Sequence, residues 1–221
     1  MRQASIKSIL RFVTGVTLGF GLAFASQAAG DVKAGESKAA MCIGCHGIPG
    51  YQNSFPEIHK VPMISGQSAK YIESALAQYR KGDRKHPTMR GIGGSLNDQD
   101  IADLAAFYSS HSNGAKLADA APAASAEVAE LLNKGGCVAC HGANFSKPLD
   151  PSYPKIGGQH ADYLYFALKA YKVEGNPQIG RANAIMGGVA KQYTNEQLKA
   201  MAKYIGGLKG EVHTQPLNRF R

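Results

Sequence analysis

Met41–Gly47 reads MCIGCHG and Gly136–Gly142 reads GCVACHG, so the chain carries the pattern Cys-x-x-Cys-His twice. These two motifs contain all four cysteines of the 221 residues. Three chemistries use two cysteines at this spacing: a redox-active dithiol, a zinc site and covalent attachment of haem. A thioredoxin-like dithiol accompanies a βαβ pattern, which this sequence does not show, and it gives the adjacent histidine no role.

The N-terminus has the features of a secretory signal peptide. Three basic residues, Arg2, Lys7 and Arg11, precede the uncharged and mostly apolar stretch Phe12–Ala25. Small residues then follow at the positions that a signal peptidase reads, which predicts a cleavable signal over residues 1–28 and export to the periplasm. A retained membrane anchor is the alternative, but this apolar stretch is shorter than the ~20 residues that span a bilayer.

Export decides between the remaining chemistries. Thiols in an oxidising compartment tend to form disulfides rather than bind zinc. Haem attachment gives every motif residue a role, because two closely spaced cysteines bind the vinyl groups and the next histidine binds the iron. We therefore predict two covalently attached haem c groups. The attachment residues are Cys42, Cys45 and His46 in the first motif and Cys137, Cys140 and His141 in the second.

The rest of the chain repeats in the same order as the motifs, which indicates two similar domains. The matching pairs are Pro62 and Pro154, Gln67 and Gln159, Tyr71 and Tyr163, Tyr79 and Tyr171, Arg84 and Arg181, and Met89 and Met186. We place the N-terminal domain at residues 29–113, an Ala-rich linker at residues 114–125 and the C-terminal domain at residues 126–221.

Helical periodicity dominates both halves. Ser68–Tyr79 and Ala161–Tyr171 have helical spacing, and no stretch alternates like a strand for long. Asn97 and Thr194 each precede an apolar stripe and have an acidic or amide residue three positions on, as in a capping box. The predicted fold class is therefore all-α, with two tandem domains.

A methionine or histidine can bind each iron opposite the motif histidine, or that face can stay open. Met89 and Met186 are the best candidates, because they occupy the same place in both repeats on Gly-rich segments predicted to be loops. Met63 stands opposite Lys155, and Met201 lies on an apolar helix stripe. No other histidine has a histidine partner across the repeat, and we expect most of them to be solvated surface residues. They are His59, His86, His111, His160 and His213.

Four further residues are weaker candidates for cofactor binding. A histidine that binds iron usually donates its other N–H to a carbonyl, and the carbonyls of Pro62 and Pro154 are candidate acceptors. Arg84 and Arg181 each stand five residues before the candidate methionine. They suit the carboxylates of the haem propionates, and the alternative is that they are solvated loop charges.

Positive charge is concentrated in the second half. Residues 29–115 hold nine Lys or Arg against eight Asp or Glu, and residues 116–221 hold thirteen against eight. Such a basic half is attracted to an acidic partner or a membrane surface. Nucleic acid is excluded as a partner, because the charges are scattered without a cluster interleaved with aromatic residues.

Together these motifs resemble those of the dihaem cytochrome c4 family. The resemblance rests on both Cys-x-x-Cys-His units, the Pro-to-Gln segment after each, the Met-x-Gly segment and the helix that follows Asn97. It covers nearly all of the chain after the signal. Two departures are Ile92, where such cytochromes often have a second methionine, and Thr194–Gln197 (TNEQ) at a cap.

The resemblance implies two class I cytochrome c domains about a pseudo-twofold axis, with haems close enough to exchange electrons. It implies His/Met ligation by His46 with Met89 and by His141 with Met186. It also implies a periplasmic electron carrier, soluble or membrane-associated, between a quinol-oxidising respiratory complex and a haem–copper terminal oxidase.

Closed iron faces have no site for a small-molecule substrate, so the leading interpretation is an electron carrier rather than an enzyme. A second interpretation is the cytochrome subunit of a periplasmic dehydrogenase that oxidises a sulfur compound or an alcohol. A third, a dihaem peroxidase, requires one haem with an open or displaceable ligand.

Overall fold

The computed structural model describes residues 29–216. The predicted signal at residues 1–28 lies outside the described residues, as do the last five residues of the chain. In the first half the elements are helices α1 (Val32–Lys38) and α2 (Ala40–His46), strands β1 (Gln52–Asn53) and β2 (His59–Lys60), helix α3 (Ala69–Lys81), strand β3 (Arg84–Lys85), and helices α4 (Pro87–Gly94) and α5 (Asp98–Ser110).

The second half follows a similar order. Its elements are helices α6 (Ala126–Lys134), α7 (Cys137–His141) and α8 (Ala161–Ala170), strand β4 (Gly180–Arg181), and helices α9 (Ala184–Ala190) and α10 (Asn195–Gly206). Every strand has two residues, so helices carry the fold, as the sequence predicts. Both expected capping boxes are present, at Asn97 with Asp100 and at Thr194 with Gln197.

Each half buries its own core. In the first half α5 packs against α1 and α3, with Leu104 and Ala105 almost fully buried. Gly35 allows the close approach of α1 to α5, because a Cβ there would lie 2.1 Å from the carbonyl oxygen of Asp103. In the second half α10 packs against α6 and α8, and its predicted core residue Met201 is 4% exposed.

Two glutamines join the halves reciprocally. The Gln67 side chain accepts a hydrogen bond from the backbone N–H of Lys155 (3.0 Å) and donates one to the Lys155 carbonyl (2.9 Å). The Gln159 side chain does the same with Met63, at 3.0 and 2.8 Å. Because Gln67 matches Gln159 and Met63 matches Lys155 in the repeat, exchanging the halves reproduces the contacts, as a pseudo-twofold axis requires.

The predicted linker lacks helix and strand between α5 and α6, but part of it packs on the second half. The carbonyl of Ala118 accepts from Asn144 at 2.8 Å, and the carbonyl of Pro122 accepts from the Tyr204 hydroxyl at 2.6 Å. Beyond α10 the chain returns to the first half, where His213 forms an isolated antiparallel bridge with Ser65. Within residues 29–216, no helix has the length and apolar character needed to span a membrane.

The Asp103 side chain connects α5 with the residue that precedes α1 through a hydrogen bond. We therefore expect Asp103→Asn to destabilise the first domain. Its carboxylate is 2% exposed and accepts from the Asp31 N–H (2.8 Å), the Gln99 amide (2.8 Å) and the Lys38 ammonium (2.5 Å). The loss of charge weakens these bonds, so the free energy of unfolding should fall by about 1–3 kcal/mol. Denaturant unfolding measures this change. Asp98→Asn, which removes an exposed partner of Arg80, is the matched control and should cost less than about 1 kcal/mol.

The same carboxylate should make the domain acid-sensitive. The Asp31 N–H and the Lys38 ammonium lower the pKa of Asp103 to about 2. Because the folded-state pKa is depressed, this stabilisation is complete above the ordinary carboxyl pKa of about 4 and is lost as the pH falls towards 2. Unfolding from pH 7 to pH 2 should therefore show a smaller acid-induced loss in Asp103→Asn than in the unchanged protein. Equal losses would contradict this role.

Candidate functional site

Both Cys-x-x-Cys-His motifs lie on short helices. α2 presents Cys42 and Cys45 three residues apart on one face, and α7 does the same with Cys137 and Cys140. All four thiols are partly buried and none forms a disulfide. Burial raises the pKa of Cys42 and of Cys137, whereas a redox-active dithiol needs a lowered pKa. The thiols therefore fit covalent attachment better than dithiol chemistry.

A zinc site also lacks the necessary ligands. Among residues 29–216, no group of three or more His, Cys, Asp or Glu side chains is arranged to hold a metal ion. Each motif instead supplies one histidine at the end of its helix, beside two thiols, which is the donor set expected for haem.

The motif histidines are held by backbone carbonyls. Nδ1 of His46 lies 2.8 Å from the carbonyl oxygen of Pro62, and Nδ1 of His141 lies 3.0 Å from that of Pro154. A carbonyl can only accept, so each Nδ1 carries the proton and donates it, which leaves Nε2 as the nitrogen that can bind iron. Burial lowers the pKa of both imidazoles and favours the neutral form that a metal requires. The carbonyls of Pro62 and Pro154 are therefore the acceptors that the sequence suggests. Iron binding by His46 and His141 stays a prediction.

A glycine directly after the second motif permits the tight exit from its helix. Gly142 has φ +79°, and a Cβ there would lie 2.0 Å from the carbonyl oxygen of Lys147. No side chain is accommodated at that distance, so only glycine permits the close approach of the backbone after His141 to Lys147.

The candidate methionines lie on helices, so the prediction that Gly-rich loops carry them is wrong. His86 caps α4 and Asn183 caps α9, each by accepting from the backbone N–H of the methionine, Met89 or Met186. Pro87 at the first position of α4 supports the helix further. The glycines that suggested a loop serve partly for packing. At Gly93 a Cβ would lie 3.0 Å from the backbone nitrogen of Arg80 in α3.

Both methionines therefore occupy the same position, three residues after a helix cap. Met63, by contrast, has its backbone N–H and carbonyl bound to Gln159 at the boundary between the halves. Ligation of iron by Met89 and Met186 remains a prediction, which their matched helical positions support.

Arg84 and Arg181 lie together, which the sequence did not reveal. β3 and β4 pair antiparallel across the boundary with these two arginines opposite each other. Arg84 is 6% exposed and donates to the hydroxyls of Tyr71 (3.1 Å) and Tyr163 (2.7 Å). Arg181 also donates to Tyr163, at 3.0 Å. The alternative that they are solvated loop charges is thus wrong for Arg84, because a tyrosine pocket of both halves surrounds it.

This pocket fits an anion. The residues that the structure describes supply no carboxylate within ion-pair distance of either arginine, and the buried Nε of Arg84 has no hydrogen-bond partner among them. Burial by itself raises the pKa of Tyr163, but the charges of Arg181 and Arg84 bring it down to about 8. Buried cations without a counter-ion are costly, so a bound carboxylate would stabilise this region.

The remaining histidines are less exposed than we expect from the sequence. His59 is 3% exposed and stacks on Phe166 of α8, with ring centroids 4.2 Å apart, so it belongs to the packing between the halves. His86 is the cap of α4. His111, His160 and His213 are each partly buried, so none of the five is a fully solvated side chain. Their contacts come from distant segments and leave no periodic signal in the sequence.

The sequence also missed the role of the two glutamines. Gln67 and Gln159 are 5% and 4% exposed and contact the residues that directly follow Pro62 and Pro154. Their matched positions in the repeat were the available signal, but a repeat does not show which partner each side chain reaches.

Two similar helical domains, each with a Cys-x-x-Cys-His helix and a carbonyl-bound histidine, define a c-type cytochrome with two covalently attached haem c groups. A family model described as cytochrome c matches residues 32–112 and again residues 125–209. Relatives described as cytochrome c4 are 31–33% identical over 86–90% of this chain, so the chain belongs to the cytochrome c4 family. The fold class expected from the sequence, two tandem class I cytochrome c domains about a pseudo-twofold axis, is thereby confirmed.

Relatives support this assignment over most of the chain. Cytochrome c4 of Stutzerimonas stutzeri is 33% identical over 215 residues, which cover 90% of this chain and 99% of the relative. The crystal structure of reduced recombinant cytochrome c4 from Pseudomonas stutzeri is similar with a TM-score of 0.62 and 32% identity, and covers 82% of this chain and 100% of that one. A thiosulfate dehydrogenase electron acceptor of Stutzerimonas stutzeri (strain A1501) is 28% identical over 79% of this chain and 82% of its own length.

Replacing one candidate methionine should open one haem. In Met89→Ala or Met186→Ala, about half of the weak red-end absorption band of Met-bound ferric haem should disappear, and one haem per chain should bind cyanide or carbon monoxide. Absorption spectra with ligand titration measure both effects.

Met63→Ala is the matched control, because Met63 is a half-buried methionine of the first domain whose backbone N–H and carbonyl are bound to Gln159. It should retain the whole band. Loss of the band in Met63→Ala, or its retention in both other variants, would show that the ligand assignment is incorrect.

Proposed function

We propose that this dihaem electron carrier transfers single electrons in the periplasm, from a quinol-oxidising respiratory complex to a haem–copper terminal oxidase. The observation that carries the proposal is the equivalence of the two sites. Each has a histidine held through Nδ1 by a proline carbonyl and a methionine three residues after a helix cap. Two sites that a methionine would close in the same way favour electron transfer over substrate chemistry.

Haem c, when bound, supplies a redox centre that exchanges one electron. The residues around it have separate tasks in this proposal. Cys42, Cys45, Cys137 and Cys140 would hold the haem groups covalently, and His46 and His141 would bind iron through Nε2. Pro62 and Pro154 orient the imidazoles, so little rearrangement accompanies a change in charge. Met89 and Met186 would supply the second ligand to each iron, and a thioether ligand would favour the reduced state.

The arginine pair supplies positive charge to the cofactor carboxylates in this proposal. Arg84 and Arg181 face each other in the tyrosine pocket between the halves, where their guanidinium groups can bind carboxylates through paired N–H groups. Burial is the main cause of the lowered pKa of His46, and the positive charge of Arg84 lowers it further.

The basic second half supports a protein or membrane partner. It carries a formal excess of five positive charges, which would steer the carrier towards an acidic surface. The predicted signal peptide supports a periplasmic location, with membrane-surface association as the variant in which basic side chains contact anionic lipids.

A second candidate function is the electron acceptor of a dehydrogenase for a sulfur compound. The relative described as a thiosulfate dehydrogenase electron acceptor favours it, since it matches 79% of this chain. The same two sites serve either role, so only the donor differs.

Rapid-mixing kinetics can separate these functions. The oxidised protein is mixed with a purified quinol-oxidising complex and quinol, or with a thiosulfate dehydrogenase and thiosulfate, and haem reduction is followed optically. We expect rapid reduction by the respiratory complex and reoxidation by a haem–copper oxidase, at rates that fall as ionic strength rises.

Rapid reduction by the sulfur-compound dehydrogenase alone would favour the second candidate. A resting protein that binds cyanide at neutral pH and consumes hydrogen peroxide would instead support the peroxidase interpretation.

A further inference from the structure

The peptide group after each haem-site proline makes two hydrogen bonds that lead to different domains. In the first half, the carbonyl of Pro62 accepts from Nδ1 of His46 at 2.8 Å. The N–H of the same peptide group, on Met63, donates to Oε1 of Gln159 in the second half at 3.0 Å. One rigid peptide plane therefore connects a candidate iron ligand to the opposite domain.

The second half repeats this arrangement in reverse. The carbonyl of Pro154 accepts from Nδ1 of His141 at 3.0 Å, and the N–H of that peptide group, on Lys155, donates to Oε1 of Gln67 at 3.0 Å. Each glutamine thus contacts the peptide that holds the histidine of the other domain. Among the described residues, neither glutamine side chain forms a hydrogen bond with the peptide group that holds the histidine of its own domain.

The glutamine amides are fixed, as such a connection requires. Gln67 and Gln159 are 5% and 4% exposed. The Nε2 of Gln159 donates to the Met63 carbonyl at 2.8 Å, and its Oε1 accepts a second bond from the His160 N–H. Gln67 is held in the same way by the Lys155 carbonyl and the Ser68 N–H. Both functional groups of each amide are therefore used, so neither side chain can turn away without losing buried bonds.

Hydrogen bonds on the two ends of one peptide group strengthen each other. A peptide whose N–H is bound by an acceptor has a more negative carbonyl oxygen, and chains of such bonds are cooperative in a low-dielectric interior. A more negative Pro62 oxygen draws the Nδ1 proton of His46 more strongly. The imidazole then becomes a better electron donor through Nε2, which stabilises the oxidised state of the metal that it binds.

We propose that Gln159 and Gln67 are crossed positioning residues, each of which lowers the reduction potential of the haem in the opposite domain through the peptide that holds its histidine. This inference rests on the proposed role as a dihaem electron carrier. One electron enters from the donor protein and leaves to the acceptor protein, no covalent bond forms or breaks, and the proton remains on Nδ1 throughout. Docking of the two domains and tuning of both redox centres thereby share the same contacts.

Two substitutions test whether each glutamine acts on the haem of the opposite domain. Gln159→Met removes all three hydrogen bonds of the Gln159 side-chain amide at similar volume. It should raise the reduction equilibrium constant of the first haem by a factor of about three to ten, tenfold being 59 mV for one electron. Gln67→Met should do the same for the second haem. Spectroelectrochemical titration gives both potentials, and the Met89→Ala and Met186→Ala backgrounds identify which potential belongs to which haem.

A second readout follows the hydrogen bond itself. In the reduced protein with ¹⁵N-labelled histidine, the Nδ1–H resonance of His46 should move upfield in Gln159→Met, and that of His141 in Gln67→Met. Gln159→Glu keeps the acceptor oxygen and should leave the first potential at or below that of the unchanged protein. Gln78→Met is the control. Among the described residues the Gln78 side-chain amide donates to Ser74 within α3, so its removal should change neither potential.

The outcomes separate this inference from the function on which it rests. Fewer than two haems, or an open coordination site in the unchanged protein, would refute the proposed carrier. Two closed haems whose potentials and Nδ1–H resonances do not respond to either glutamine variant would refute the crossed tuning alone. Equal shifts of both haems in each variant would also refute it, because loosening of the domain boundary would then account for the effect.

Discussion

The arrangement of both sites depends on one constraint, the peptide group that follows Pro62 or Pro154. Its carbonyl oxygen accepts from the motif histidine, and its N–H donates to a glutamine of the other half. Because a peptide group is planar, the direction of one bond restricts the other. The orientation of each imidazole and the docking of the two domains are therefore parts of a single geometry.

The boundary between the two halves also contains two positively charged guanidinium groups surrounded by tyrosine side chains. Arg84 and Arg181 face each other across β3 and β4, where Tyr163 accepts from both. Phenol hydroxyls satisfy several N–H groups but do not neutralise charge. A cofactor carboxylate bound between the halves would supply the negative charge that the described residues do not place beside these two arginines.

Several features of the fold could be predicted because they depend on neighbouring residues. The helix that starts at Asn97 follows from a cap and an apolar stripe within one segment, and the attachment motif follows from five consecutive residues. The segment at Met89 was misassigned because its glycines indicate a loop locally, whereas the cap at His86 and packing of Gly93 against α3 favour a helix. The burial of His59 could not be predicted for a similar reason, because Phe166, which stacks on it, is distant in the chain.

By itself, the sequence determined the two attachment motifs, their pairing with Met89 and Met186 in a repeat, the all-α class and the family resemblance, because each of these lies in local pattern and spacing. Only the tertiary structure decided which glutamine contacts which histidine-bound peptide, and that the two arginines share one pocket. A repeat makes two segments alike, and it does not specify how the two copies meet. That choice depends on buried hydrogen bonds between residues roughly ninety positions apart, such as Gln159 with Met63 and Gln67 with Lys155, and these form only when the halves dock.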